Sequence, residues 1–427
     1  VGKSSRQRRR SGQQQPTGQP TLDQVVISGL VTAAQDLRAG NEDAPYITAG
    51  LLADRPPHEL PAVHRAVAEV FGIYLRNLAA GGWLPEDLVQ ITMRRMGSPQ
   101  SVSFLTDQLA VYVGQHAEAT LDDRWKGQLA ELEATIWWRP AEPHLPQWMA
   151  QDGTSLLKTL LMAIELLSML GSIPMLPVIV PPPGSGVAGG GRQHTADTKV
   201  LAKVRALLAK AESTEFDEEA EALSAKAQQL MSRYALTEAM LEFQRGHDLT
   251  ATTHRFWLDD PYATAKSMLV GAVADANRCR TVLHSDLGFV AVLGDPVDVD
   301  GTVLLATSLL VQATRALVSA GRHVTRTGQS RTRSFRQAFL LSYAQRIGER
   351  LTAANAETAA DVSSTEGDLL PVLASKELAV EELIAQDYPS LVSKPIKVRN
   401  EAGWGAGRAA ADAAQLGLDR KSVNRRS

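Results

Sequence analysis

Residues 171–196 constrain the fold more than any other stretch, because no helix or strand can run through them. They hold Pro174, Pro177 and Pro181-Pro182-Pro183, then Gly184, Gly186 and Gly189-Gly190-Gly191. The prolines favour extended polyproline geometry and the glycines add freedom. A chain of 427 residues interrupted in this way reads as two or more folded parts on either side of a semi-rigid spacer with a loose end. Within the spacer Val178-Ile179-Val180 is apolar enough to dock on a neighbouring surface.

Both flanks read as helical, and the fold class expected is mainly α. Ala and Leu dominate and only 5% of residues are aromatic, which favours helices packed through small aliphatic contacts. Residues 1–20 are polar and basic and read as a disordered tail. Residues 21–170 read as an N-terminal helical domain. Thr21 and Gln24 form a capping box. Val63, Val67, Val70, Phe71 and Leu78 make a stripe that Gly81-Gly82 ends, and Pro85-Glu86-Asp87 opens a further helix. The most apolar run, Leu156–Leu170, is shorter than the roughly 20 residues of a membrane span and carries Lys158 and Glu165. It reads as a helix that is buried or faces a protein partner, and no membrane association is expected.

Residues 197–244 read as a helical hairpin. Val204, Leu207, Leu208 and Ala211 form one face; Leu223, Ala227, Leu230, Met231 and Tyr234 form the other, and Thr237 is placed to cap a short third helix. A hairpin of this size buries too little to stand alone and should pack on something else. Residues 245–418 read as a small α+β domain. Two strands, Thr281–Leu283 and Phe289–Leu293, flank a turn at Ser285-Asp286; Asp295-Pro296 starts a long helix, another carries Phe335 to Leu351, and 355–370 reads as an exposed loop. Residues 419–427 form a second basic tail.

The run Lys203-Val204-Arg205-Ala206-Leu207-Leu208-Ala209-Lys210-Ala211-Glu212-Ser213-Thr214, followed by Glu219-Ala220-Glu221-Ala222, Lys226-Ala227-Gln228-Gln229-Leu230-Met231 and Tyr234, resembles the domain of unknown function 2786. Leu293-Gly294-Asp295, Arg333–Leu340 and Gly403–Ala410 are similar to the module that accompanies that domain, and Gly81–Leu88 to the N-terminal half of actinobacterial members. The resemblance implies an intracellular, actinobacterial protein. It implies no catalytic residue.

Several constellations invite chemistry. His58-Glu59 and His64 lack the one-turn spacing of a zincin helix. His254, Asp259, His284 and Asp286 are residue types that bind metals or serve a hydrolase, but their spacing matches no ligand motif. Cys279, the one cysteine, lies between Arg278 and Arg280, which favours a thiolate, yet it opens an apolar strand, where an inert thiol is common. Its solitude excludes an internal disulfide and a multi-cysteine zinc site and fits a cytoplasmic protein. Gly403–Arg408 lacks the preceding strand of a dinucleotide fingerprint, and its small residues suit close helix packing. No metal and no cofactor is expected.

The most suggestive feature is basic. Arg322, Arg326, Arg331, Arg333 and Arg336 stand among serines and threonines with no acid between them. That composition suits phosphate contacts, while the net charge of −3 puts no global field behind it. The function expected is therefore a non-catalytic binding or regulatory protein that contacts nucleic acid or another anionic partner through this segment. A hydrolase or nuclease with a polar site in the C-terminal domain is the first alternative. A helical protein-interaction scaffold is the second.

Overall fold

The computed structural model describes residues 21–185, 197–214, 217–247, 249–319, 332–366, 368–391 and 401–413. The expected tails, and the spacer from 186 to 196, lie outside them. The chain divides into two compact units at Gly189.

The first unit is all helix: α1 (Leu22–Arg38), α2 (Ala44–Ala53), α3 (Leu60–Ala80), α4 (Pro85–Met96), α5 (Pro99–Gly114), α6 (Asp123–Glu131), α7 (His144–Asp152) and α8 (Leu156–Leu170). Thr21 and Gln24 close the capping box of α1. Leu30 of α1, Val63, Val70 and Phe71 of α3, Phe104 and Leu109 of α5, and Leu160, Ile164 and Leu167 of α8 are fully buried and form the core. The spacer packs on the first unit over its described part, residues 171–185. The Leu176 amide donates to the Gly81 carbonyl at 2.9 Å, and the Trp83 indole donates to the Pro174 carbonyl at 2.8 Å. Gly82, at φ +85°, is required here, since a Cβ would stand 2.5 Å from the Leu176 carbonyl oxygen. Leu176 and Val180 are also buried, so apolar anchors and these two hydrogen bonds together order the proline-rich stretch.

The second unit contains α9 (Asp197–Ser213), α10 (Asp217–Gln244), β1 (Thr252–Trp257), α11 (Ala263–Ala276), β2 (Arg280–His284), β3 (Phe289–Gly294), α12 (Pro296–Ser319), α13 (Thr332–Glu366), α14 (Leu370–Asp387) and α15 (Glu401–Ala413). Mainly α is thus the observed class, with one small antiparallel sheet in the order β1-β3-β2. The expected hairpin is present, and β1 joins it from the other side, with Arg255 opposite Ala291 and Trp257 opposite Phe289. Every residue of the central strand β3 is buried, because both faces are covered. Val290 and Val292 face a core built by α11, α12 and α13, while the Ala291 face lies under α14. The hairpin α9–α10 does not stand apart: Val204, Leu208, Ala227 and Met231 belong to that same core. By length and composition α12 suffices to cross a bilayer; in this fold Val299, Leu305, Leu309, Ala313 and Leu317 are buried along it.

Two sequence expectations fail for one reason. Thr237 does not restart a helix, and 355–370 is not an exposed loop, because α10 runs on to Gln244 and α13 to Glu366. Leu236, Ala239 and Met240 pack there against Val362, Leu369 and Val372. This second apolar cluster holds both helix ends where local signals favour a stop. The Gly403–Arg408 stretch is interior helix. Gly407 presses on the Phe339 carbonyl and the Ser342 hydroxyl of α13.

Two predictions follow from packing and burial. Gly407→Ala should destabilise the second unit by about 1–3 kcal/mol, since its Cβ meets backbone that cannot yield. Gly405→Ala, with open space around it, should be neutral or stabilising by up to about 1 kcal/mol; equal losses in chemical denaturation would contradict this contact. In the first unit, burial raises Glu86 from 4.5 to about 7, with Asp87 and Glu131 adding repulsion. A carboxyl raised on folding costs stability as pH climbs from 4.5 through 7, because the folded state holds the proton more tightly. Glu86→Gln should therefore flatten that decline and raise the unfolding midpoint at pH 8, while changing little at pH 4.5. Tryptophan fluorescence reports it, as Trp83, Trp125, Trp137, Trp138 and Trp148 all lie in this unit.

Candidate functional site

A cleft of about 640 Å³ opens in the second unit between the start of α11 and the first turn of α13. Asp260, Pro261, Tyr262, Ala263, Thr264 and Ala265 form one wall, and Arg333 and Gln337 the other. Tyr262 stands just before α11 in the left-handed region, φ +74°, and its side chain does not cap the helix. Its carbonyl takes the Ala265 and Lys266 amides. The first amides of the helix, those of Ala263 and Thr264, have no intrahelical acceptor and lie in the cleft wall, at the positive end of the helix dipole. Arg333 and Gln337 are one turn apart on α13, so both reach the same space. An exposed guanidinium, a carboxamide, the Thr264 hydroxyl and a helix start are the donors with which proteins bind phosphate or carboxylate groups.

Of the five arginines singled out by sequence, Arg322, Arg326 and Arg331 lie outside the described residues. Arg333 lines the cleft. Arg336 is half-buried on the next stretch of α13, and its Nε is buried without a hydrogen-bond partner.

The polar residues of the C-terminal unit do not gather. His254 pairs across the sheet with Val292, and His284 with Phe289. Those partners are three residues apart on β3, so the two histidines lie on opposite faces. His284 stacks on Phe289 at 4.4 Å and meets Tyr388 at 5.5 Å; burial, with Arg255 nearby, lowers its pKa. Asp259 and Asp286 are exposed in loops. Among the described residues no three His, Cys, Asp or Glu side chains are grouped to hold a metal.

The corner between α11 and β2 holds the densest buried polar chemistry. Arg278, in the left-handed region at φ +63°, donates through Nε and Nη2 to the Asp298 carboxylate of α12. Lys376 of α14 donates to Asp298 at 2.8 Å and stands 3.4 Å from Asp295. Burial pushes the Asp298 carboxyl up, but Arg278 and Lys376 outweigh it and hold it below the usual range. Beside them Cys279 is fully buried, its thiol against the Thr302 hydroxyl, and burial together with the Asp298 charge pushes it up to about 12. Asn277 completes the corner. Gln228 of α10 donates to Asn277 at 2.8 Å and to Asn355 of α13 at 2.7 Å.

The first unit holds a pair that sequence reading missed. His144 donates from Nε2 to Asp107 at 2.7 Å, and Gln108 donates to its Nδ1 at 3.1 Å. Trp137 also donates to Asp107, and the Trp138 ring lies 4.4 Å from the imidazole. An Asp–His pair has a catalytic look, but both ring nitrogens are engaged and none is left for a substrate proton. No spacing signals it, since Asp107 and His144 meet only through the packing of α5 and α7.

Residues 199–238 match a family model described as "Protein of unknown function (DUF2786)". That match covers α9 and most of α10, and it includes Gln228, whose amide reaches Asn277 and Asn355. No curated protein and no solved structure matches the chain.

The environment of Cys279 predicts its reactivity. A thiol raised to about 12 and shielded from solvent should react with a disulfide reagent at pH 8 at least about 100-fold more slowly in the native protein than in urea. As the chain has one cysteine, the absorbance change reports this site alone. Fast native labelling would mean that the corner opens.

Proposed function

We propose that the protein is a non-catalytic binding or regulatory protein whose second unit takes an anionic partner, nucleic acid first, at the α11–α13 cleft. One observation carries the reading: Arg333 of the sequence-predicted basic segment faces the start of α11 across a cavity of about 640 Å³. A cation and a helix start aimed at one space reinforce each other as a phosphate site. Arg322, Arg326 and Arg331 precede this point in the chain and would extend the contact along a backbone.

The setting proposed is the cytoplasm of an actinobacterium, in keeping with the single buried thiol. Residues 245–418 are read as the companion module of the hairpin, which is supported by the core that the two share.

The test is binding of the full chain to a labelled oligonucleotide against salt. Affinity should fall steeply with salt, and Arg333→Glu should weaken binding and reduce the magnitude of the log–log slope by about 0.7–0.9, the share of one phosphate contact. As Arg333 is exposed, its replacement should move stability by no more than about 0.5 kcal/mol. Equal affinity of the two proteins at low salt would remove the cleft from the function.

A further inference from the structure

α14 lies over one face of the sheet, and its far end closes on a histidine. His284, the last residue of β2, stacks on Phe289 of β3 at 4.4 Å with an interplanar angle of 21°. Tyr388, one residue beyond α14, closes the slot edge-on at 5.5 Å. The Nε2 atom of His284 is buried there without a hydrogen-bond partner. Arg255 of β1 is buried on the same face, its guanidinium carbon 5.9 Å from the centre of the Phe289 ring. Burial, and then the Arg255 charge, lower the pKa of His284. The other charged groups around it do not answer an imidazolium. Asp387 feels the Arg255 charge, and burial raises its carboxyl. Burial pushes the Tyr388 phenol up to about 12, so it stays neutral. Asp259 and Asp286 are exposed in the adjoining loops. Arg280, at the other end of β2, faces Glu377 of α14 and Asp275 of α11.

We propose that His284 and Tyr388 form an acid-sensitive latch: when the imidazole takes a proton, Tyr388 leaves it and the last turn of α14 lifts from the sheet. An imidazolium kept in the slot would hold a buried N–H without an acceptor, beside a like charge. The geometry decides which wall gives way. Phe289 and Arg255 belong to strands paired along their length, whereas Tyr388 stands past a helix end, where opening costs least. Its amide donates to the Ile384 carbonyl at 2.8 Å, and that bond goes with it. The body of α14 stays, since Lys376 donates to Asp298 at 2.8 Å and Val372 and Val380 are buried. The lifted turn uncovers Arg255 and the Phe289 ring. In the closed form the pKa of His284 lies below 6.5, so the open form binds more protons. The latch therefore weakens as pH falls through 6.5 toward that lowered value. Asp387 opposes it only at lower pH, nearer 3.8, because a carboxyl raised by burial favours the closed form once protonated.

Hydrogen exchange of the full chain at about pH 7.5 and about pH 5.5, corrected for the intrinsic exchange rate at each pH, tests this. In the wild type the amides of residues 384–388 should lose protection at least about threefold at the lower pH. Those of β3 and of α13 around Phe339 should keep theirs. His284→Phe preserves the stack and takes no proton, so residues 384–388 should be equally protected at both pH values. If that variant loosens β3 at the higher pH, His284→Gln, also without a proton to gain, is read in its place. Three outcomes overturn the proposal: a wild type equally protected at both pH values, a loss that persists in the uncharged variant, or a loss spread evenly over β3 and α13. The last would be general acid unfolding.

Discussion

Three consecutive residues at one tight corner hold the second unit together. Asn277 bonds Gln228 of α10 in the amide cluster that also takes in Asn355 of α13. Arg278 turns the other way, to Asp298 of α12, and through that carboxylate to Lys376 of α14. Cys279 fills the space beside Thr302 that Gly294, having no side chain, leaves open. The reversal between neighbours requires the left-handed backbone at Arg278. Helices packed through Ala and Leu slide at little cost, since one small apolar contact replaces another. Buried amides and charges do not, because an unpaired partner costs about 3–5 kcal/mol for a charge and about 1–3 kcal/mol for a neutral group. The corner therefore sets the register of α10, α12, α13 and α14 against the sheet.

That dependence explains what the sequence disclosed. Elements with strong local signals were legible: the capping box at Thr21, the strands around Ser285-Asp286, the start of α12 at Asp295-Pro296, and the buried face of Leu156–Leu170. β1 was not, because Thr252–Trp257 becomes a strand by adding to an edge that the hairpin supplies from 32 residues or more further along. The ends of α10 and α13 were not, because they exist only against each other. The docking of the spacer was legible only in part: of Val178-Ile179-Val180, Val180 is buried and Val178 is exposed, and the anchor points of the spacer on Gly81 and Trp83 lie some 90 residues away.

The cleft was half legible for the same reason. Arg333 stands out by composition. The start of α11 does not, and the two walls are about 70 residues apart in the chain. Composition also overstated the available charge. Arg255, Arg278 and Lys376 are counted among 44 basic residues, yet each is largely or wholly withdrawn into the fold. Arg278 and Lys376 are answered by Asp295 and Asp298, so the corner is neutral as a unit.

Burial thus separates groups that hold the fold from groups that can meet a partner. His144, Cys279 and Asp298 carry the residue types of catalysis, and each is committed to a neighbour inside the protein. The polar groups that face water, Arg333 at the cleft and Lys158 and Glu165 on α8, lie instead on rigid helices beside concave or apolar surface. Charges in that setting raise encounter rates and select partners by sign, and they give less to affinity than the apolar ground around them.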